Sequence, residues 1–132
     1  MPRAQNGDSP AAPSYQQVSQ LVESKISKGR RYAGFNPARS DDVQLFRAVM
    51  SGENLLRGFR NAEIRQLLWG NVADIRQRQR QANRVTRLLK RLHVRSLLAK
   101  IPHTRRWRVT TRGQQLLGAI LQLHYHGLST AA

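Results

Sequence analysis

Arginine dominates the possible chemistry of this chain. The segment KIPHTRRWRVTTRG, residues 100–113, places three arginines beside Trp107, and an earlier segment, residues 76–91, repeats basic residues at the spacing of a helical face. A planar guanidinium group binds phosphate oxygens or the edge of guanine through two parallel hydrogen bonds. These two segments therefore predict contacts with a polyanion.

The positive charge is concentrated in one part of the sequence. The chain has 132 residues, of which 23 are Lys or Arg and seven are Asp or Glu, so its formal net charge at pH 7 is +16. Between residues 55 and 112 the acidic residues are Glu63 and Asp74, against 16 basic ones. Such an excess concerns the partners of a protein and not its fold. A GC-rich genome would raise the arginine content but would not remove acidic residues.

Catalytic and metal-binding groups are sparse by comparison. There is no cysteine, which excludes disulfides, thiolate metal ligands and cysteine nucleophiles. The carboxylates are scattered, and no Ser, His and acid occur at a spacing typical of a catalytic site. His124 and His126 would lie about 200° apart around a helix, so they cannot share a metal ion. We expect no enzyme activity, no metal and no cofactor.

Apolar periodicity and capping residues predict the elements that position the arginines. A first helix is predicted over residues 15–27, after a capping box that begins at Ser14. A second helix begins at Ser40, and a third has Asn61 as its N-cap. The short apolar segment LLRGF, residues 55–59, is predicted to form a strand between them.

A fourth helix follows Asp74, which is its predicted N-cap. Its best-defined part is ANRVTRLLKRL, where four aliphatic side chains share one side: Val85, Leu88, Leu89 and Leu92. The preceding RQRQRQ, residues 76–81, has no apolar face and is compatible with a loop or with a solvated helix.

Alternation with a period of two then predicts a β-hairpin turned by PHT, with Trp107 and Val109 facing the core and the arginines facing outward. A last helix is capped by Thr110 or Thr111 and ends at Gly127.

The domain organisation follows from these elements. Residues 1–13 are rich in Pro and Ala without periodicity and predict a disordered tail. Residues 14–39 are assigned to an N-terminal helix and a linker, 40–127 to the main domain, and 128–132 to a C-terminal tail. No apolar run reaches the roughly 18 residues that span a membrane, and the N-terminus lacks the apolar core of a signal peptide. We expect no membrane association and a cytoplasmic location.

The predicted order of helix, strand, helix, helix, hairpin and helix is that of a winged helix. The segments RLLKRLHVRSLLAKIP and RWRVTTRG resemble those of winged-helix DNA-binding domains of bacterial regulators. GFRNAEIRQLL and IPHTRRWRVTTRG are also similar to segments of a group of uncharacterised bacterial proteins. The resemblance implies an α+β, mostly helical fold: a winged helix-turn-helix with a two-stranded wing and an N-terminal helical extension.

Two features depart from the family pattern. The usual Gly before the first hairpin strand is replaced by HVRS, and RQRQRQ lengthens the fourth helix or the approach to it.

The predicted site consists of the fourth helix and the wing. On the helix, the direction opposite the aliphatic side chains carries basic residues and Asn83, with no acidic residue after Asp74. Asn pairs with adenine and Arg with guanine in the major groove, so the helix around 80–92 is predicted to recognise bases. The wing, residues 100–108, is predicted to hold phosphates. The predicted nucleic-acid-binding residues are Arg76, Arg80, Asn83, Arg84, Arg87, Lys90, Arg91, Arg105, Arg106 and Arg108.

The function predicted from the sequence is non-catalytic binding of double-stranded DNA. We expect a bacterial transcriptional regulator or a mobile-element-associated protein, located on the nucleoid. The alternative is an RNA-binding or ribonucleoprotein assembly factor that uses the same basic face. A third class, an interaction module for an acidic protein, has no specific support. A homodimer through the helices at 15–27 and 111–126 is also predicted, because both carry apolar stripes outside the central helices.

Overall fold

The computed structural model describes residues 15–131, and the side chains of residues 15–125. Over this range the chain is mostly helical, with two separate two-stranded antiparallel sheets, which agrees with the predicted α+β class. The predicted tail at 1–13 and the cap at Ser14 lie outside the described residues. The elements in order are α1 Tyr15–Val22, β1 Lys25–Ser27, β2 Arg30–Tyr32, α2 Ser40–Val49, α3 Gly52–Arg57, α4 Asn61–Trp69, α5 Ile75–His93, β3 Leu98–Lys100, β4 Trp107–Val109 and α6 Thr111–Ala131.

The core lies between α2, α4, α5 and α6. Helix α4 packs on both α2 and α5, and α6 packs on α2. Phe46, Ile64, Leu89 and Leu117 come from these four helices, and each is at most 1% exposed. Because burial of one such side chain contributes about 1.5–3 kcal/mol, this cluster holds the helices against one another.

Asn61 joins α4 to α5 and is not the N-cap that the sequence predicted. It is the first residue of α4, and its Nδ2 donates to the carbonyl of Ala82 at 2.9 Å and to Oγ1 of Thr86 at 3.0 Å. The start of α4 is instead stabilised by Glu63, whose Oε1 accepts a hydrogen bond from the backbone N–H of Arg60 at 2.8 Å. The amide of Asn61 therefore fixes where α4 crosses α5.

The predicted strand at 55–59 is wrong except at its last residue. Residues Gly52–Arg57 form helix α3, and Phe59 forms an isolated antiparallel bridge with Trp107, with two backbone hydrogen bonds of 2.9 and 2.8 Å. Gly58 precedes the bridge with φ of +73°, and a Cβ there would lie 2.6 Å from the carbonyl oxygen of Trp107. Gly58 therefore allows the chain to approach the hairpin.

Hairpin β3–β4 pairs Leu98 with Val109 and Lys100 with Trp107. Val109 is buried and Trp107 packs half-buried against the core, so the predicted inward face is confirmed.

Thr110 caps α6, which is one of the two alternatives, Thr110 and Thr111, that the sequence predicted. Its Oγ1 accepts from the backbone N–H of Gly113 at 2.9 Å and donates to the carbonyl of Ser96 at 2.7 Å. The helix continues past Gly127 to Ala131, so the predicted helix end at Gly127 is wrong and residues 128–131 of the segment assigned to a C-terminal tail are helical. A glycine inside a helix costs only about 1 kcal/mol, which is too little to end it without a competing structure.

The prediction of one helix over 15–27 is also wrong. Helix α1 ends at Val22, and β1 and β2 form a hairpin whose turn residues Lys28 and Gly29 have φ of 52° and 77°. Two successive positive φ values are typical of the type I′ turn, which matches the twist of a two-stranded hairpin.

The residues around this hairpin are packed on the core. Leu21 and Phe35 are both buried, and the ring of Phe35 meets that of Phe46 edge-on at 5.5 Å. A Cβ at Gly34 would overlap the carbonyl of Val22, so only glycine permits this close approach. The segment that was predicted to be a linker therefore contributes to the core.

Candidate nucleic-acid interface

Helix α5 begins at Ile75 and includes the whole RQRQRQ segment. The side chain of Asp74 accepts from the backbone N–H of Arg76 at 3.0 Å, which confirms the predicted cap. The helix has 19 residues, so it is about 28 Å long at 1.5 Å per residue. The side chains of its first six residues, 75–80, are all exposed.

One face of α5 is buried and the opposite face is basic. Val85, Leu89 and Leu92 point into the core. The exposed side chains in the opposite direction are Arg76, Arg80, Asn83, Arg87 and Lys90. Within the part of the chain that the structure describes, the four basic members of this set make no side-chain hydrogen bond or ion pair, whereas Asn83 accepts from Gln79 at 3.3 Å. Their donors are therefore available to a ligand. We call these five residues the basic face of α5.

Arg84 lies at the edge of the basic face. Its Nη2 is 4.0 Å from a carboxylate oxygen of Asp41, and its guanidinium carbon is 5.8 Å from the centroid of the Trp69 ring. Both contacts are long and partly exposed, and such ion pairs contribute little to stability. Arg84 can therefore exchange Asp41 for another anion.

Arg91, which the sequence predicted to bind nucleic acid, contacts the N-terminal segment in the structure. Its Nε donates to the carbonyl of Ala33 at 3.0 Å, its Nη2 donates to that of Gly34, and its guanidinium carbon lies 4.1 Å from the centroid of Phe35. Burial lowers the pKa of Arg91, against the opposing effect of Asp42. The guanidinium group therefore holds the N-terminal segment on α5 through Nε and Nη2.

The β3–β4 hairpin presents two exposed arginines, Arg105 in the segment between the strands and Arg108 on β4. The backbone N–H of Thr104 donates to the carbonyl of Ile101 at 3.2 Å, and His103 has φ of 61°, so Pro102 and His103 occupy the centre of a tight turn as the sequence predicted. Arg105 and Arg108 are exposed and make no side-chain hydrogen bond or ion pair to any described residue.

Arg106 ties the hairpin to α4 instead of extending into solvent. Its Nη1 donates to the carbonyl of Gly58 at 3.4 Å and lies 3.7 Å from Oε1 of Glu63. On the other face, the ring of Trp107 meets that of His93 of α5 edge-on at 5.1 Å. The hairpin is therefore fixed beside α4 and α5, and of the three predicted wing arginines only Arg105 and Arg108 are unengaged among the described residues.

Arg95 is the residue with the largest structural role that sequence reasoning missed. It is 4% exposed, and its guanidinium donates to the carbonyls of Gln20, Glu23, Ala33 and Arg91 at 2.7 to 3.1 Å. Three of these carbonyls lie near the ends of α1 and α5, which carry partial negative charge. Nothing in the sequence near Arg95 distinguishes it from the exposed arginines.

A second group that the sequence did not single out is Arg30 and Arg31 on β2. They face the exposed side of α5 across a cleft whose other wall includes Arg87 and Lys90. The sequence feature that could have identified them is the basic segment KGRRY, which surrounds a glycine. From the sequence, that glycine was interpreted only as the end of a helix.

The described residues and the comparisons with known proteins give no further indication of what this surface binds. Among residues 15–125, no three His, Asp or Glu side chains are grouped as metal ligands. The described helices include none with the length and apolar character needed to cross a membrane. No family model, no curated protein and no solved structure matches the chain.

Proposed function

We propose that this protein binds double-stranded DNA without catalysis and that α5 is the helix that enters the major groove. The observation that carries this proposal is the basic face of α5, because its four cations lack partners among the described residues and no carboxylate interrupts it. A solvated helix face normally mixes charges of both signs, so a uniformly positive one favours a polyanionic ligand.

The order of elements supports a winged helix-turn-helix fold for the same surface. Helix α2, the bridge at Phe59, helices α4 and α5, the β3–β4 hairpin and α6 follow one another as in that fold. In such domains the second helix of the helix-turn-helix unit enters the major groove. We assign this role to α5 and the role of wing to β3–β4.

A helix that carries the basic face favours duplex DNA over RNA. The major groove of B-DNA is about 12 Å wide and admits an α-helix, whereas that of A-form RNA is deep and narrow. Single-stranded RNA is commonly bound by aromatic side chains on a sheet. Trp69 is exposed on a helix next to Arg84, and Trp107 of the hairpin packs on the core. RNA binding by the same basic face is the rival function, and a direct comparison of duplex DNA with structured RNA separates the two.

The two surfaces have different proposed roles. Asn83 and Arg87 lie at the centre of the basic face, where contact with base edges requires the closest approach. Arg105 and Arg108 lie on the wing, where contacts to phosphate fix the position of the domain and carry no sequence information. A regulator or a mobile-element protein on the bacterial nucleoid would use this combination.

Base analogues test the groove. A preferred duplex is first selected from a random library, and each guanine is then replaced by 7-deazaguanine, which removes the N7 acceptor in the major groove. Arginine binds guanine through O6 and N7, and such a pair is worth about 1 to 3 kcal/mol, so binding should weaken by up to that amount at one or more positions.

Inosine is the matched control because it removes only the amino group of guanine in the minor groove. Weakening by inosine together with tolerance of 7-deazaguanine would contradict major-groove recognition by α5.

A further inference from the structure

The β1–β2 hairpin and α5 form an open cleft of about 380 Å³. One wall is the strand β2 with Arg30 and Arg31, and the other is the exposed side of α5 with Arg87 and Lys90. Tyr32 and Thr86 add two hydroxyl groups, and no carboxylate lines the cleft among the side chains that the structure describes. Four exposed cations therefore share one concave surface.

The wall formed by the hairpin is fixed at its base. The carbonyl of Ala33 accepts hydrogen bonds from both Arg91 and Arg95, at 3.0 and 2.9 Å, and the next two residues pack on the core through Gly34 and Phe35. The type I′ turn at the other end of the hairpin is exposed. The rigid base fixes the backbone of β2 beside α5 before a ligand arrives, so that no backbone entropy is lost there on binding.

The charges of the cleft favour an anion. Arg30 stacks near Tyr32, with its guanidinium carbon 5.6 Å from the ring centroid, and this contact involves none of its N–H donors. Positive groups brought together without an acid repel one another, and a bound anion relieves that repulsion. Guanidinium and ammonium groups on two walls, with hydroxyl donors between them, suit the oxygens of a phosphate.

We propose that this cleft is a second phosphate site, in which a backbone phosphate of the bound duplex is held between β2 and α5. The inference rests on the proposed function, because it makes the β1–β2 hairpin a further backbone-contacting element beside α5. It assigns Arg30, Arg31 and Lys90 to phosphate binding, whereas Arg87, although it lines the cleft, contacts bases together with Asn83. The hairpin thereby increases affinity for every sequence equally.

Inorganic phosphate tests the cleft without DNA. Phosphate is titrated into the ¹⁵N-labelled full chain at constant ionic strength, with chloride as the reference anion, and the amide shifts around Tyr32 and Thr86 are recorded. A saturating shift is expected for the wild type and should be absent in the double variant Arg30→Gln/Arg31→Gln. The matched control is Lys25→Gln/Lys28→Gln, which removes the same charge from the same hairpin outside the cleft and should retain the saturating shift. The inference would be overturned if the amide shifts of the wild type did not saturate with phosphate, or if both double variants lost the saturating shift to the same extent.

Duplex DNA binding tests the assignment to the backbone. Each bound phosphate contributes about −0.9 to the slope of log K against log salt, so Arg30→Gln/Arg31→Gln should make the slope shallower by about that amount for each phosphate that the variant no longer binds. The Lys25→Gln/Lys28→Gln slope should stay near that of the wild type, and the ratio of specific to random affinity should change in neither variant. Equal slopes for the two double variants would refute the assignment.

The two proposals fail in different ways. If the wild type binds duplex DNA and the Arg30→Gln/Arg31→Gln variant behaves like the Lys25→Gln/Lys28→Gln control, the phosphate site in the cleft is refuted and the proposed function of α5 stands. If the wild type binds no duplex, the proposed function and the backbone assignment both fail, whereas saturation by phosphate still establishes the anion site itself.

Discussion

At the scale of single residues, similar arginines have different surroundings. Arg87 is exposed on α5 and makes no side-chain hydrogen bond or ion pair to a described residue, whereas Arg91, one turn later, donates to the carbonyls of Ala33 and Gly34. Arg95, one turn further, is buried and donates to four carbonyls with good geometry. Between residues 87 and 95 the same residue type therefore passes from an exposed, unengaged side chain to a buried structural support.

Arg87→Ala should weaken the preferred DNA site by about 1 to 3 kcal/mol and affect random DNA much less, because the guanidinium group that it removes binds a base. Fluorescence anisotropy with both duplexes measures the difference. Arg108→Ala is the matched control on the wing and should weaken both duplexes by the same factor. Neither side chain contributes to the core, so the melting temperature should change little. Proportional losses in both variants would show that α5 is a general backbone binder.

Arg95→Met should destabilise the fold by roughly 3 kcal/mol, because it leaves several buried carbonyls without donors and each missing bond to a charged group costs about 1.5–3 kcal/mol before relaxation. Urea denaturation gives this value. Arg95→Lys should lie between the wild type and Arg95→Met, since one ammonium cannot reach all the carbonyls that the planar group reaches. A free energy of unfolding within about 0.5 kcal/mol of the wild type for Arg95→Met would contradict the supporting role.

The basic face was predictable because helical periodicity alone places Arg80, Asn83 and Arg87 opposite the leucines. The roles of Arg91 and Arg95 were not, because all but one of their partners are backbone carbonyls some 57 to 75 residues earlier in the chain. Every residue has a backbone carbonyl, so the residue types near an arginine do not predict such a contact. The contact of Arg106 with Gly58 was not predictable for the same reason, since Gly58 precedes it by 48 residues.

At the scale of elements, the end of α5 shows how the segment HVRS turns the chain without a glycine. The backbone N–H of Leu97 donates to Leu92 at 3.1 Å and that of Ser96 donates to His93 at 2.9 Å, which are the two bonds of a Schellman motif. Ser96 has φ of 64°, in the left-handed region that such a motif usually fills with Gly. The turn therefore forms in its usual geometry with a residue that is strained there.

Ser96→Gly should stabilise the protein by about 1 kcal/mol, because a non-glycine residue in the left-handed region costs roughly 1–2 kcal/mol and glycine loses some entropy on folding. Thermal and urea unfolding both report the change. Ser51→Gly is the control: Ser51 precedes α3 with φ of −59° and makes no side-chain cap bond, so glycine should not stabilise it. A destabilised Ser96→Gly variant would show that the side chain has a role beyond the turn.

Elements with strong periodicity were predictable and short ones were not. Helices α2 and α5 carry clear apolar stripes, and the structure confirms that both form, α2 from Ser40 and α5 with the predicted cap at Asp74. Residues 52–57 contain Leu55 and Leu56, which are compatible with a strand or with a helix. In the structure these residues are helical, and the side-chain amide of Asn54 donates to the carbonyl of Ala48 at 2.8 Å. The β1–β2 hairpin was missed because Val22 and Ile26 continued the helical spacing of α1 into the turn.

At the scale of the whole molecule, the flanking helices keep apolar side chains exposed. Tyr15 and Val22 of α1 and Leu123 of α6 are 86, 46 and 58% exposed. The dimer predicted from the sequence would cover such groups and place two copies of α5 about 34 Å apart on successive major grooves.

Sedimentation of the protein at tens of micromolar should show a dimer, with or without DNA. Replacement of Leu123 by Glu should shift it to monomer, and a wild type that sediments only as a monomer would contradict the prediction.

The charge of the whole chain makes salt-dependent binding the most direct test of DNA recognition. The full chain is titrated with a duplex DNA and a structured RNA of equal length over a series of salt concentrations. We predict tighter binding of the duplex and a steep negative slope of log K against log salt, because several arginines of α5, β2 and the wing each release about 0.9 counterion from a phosphate. Tighter binding of the RNA, or a slope near zero for the duplex, would contradict the claim that α5 recognises double-stranded DNA.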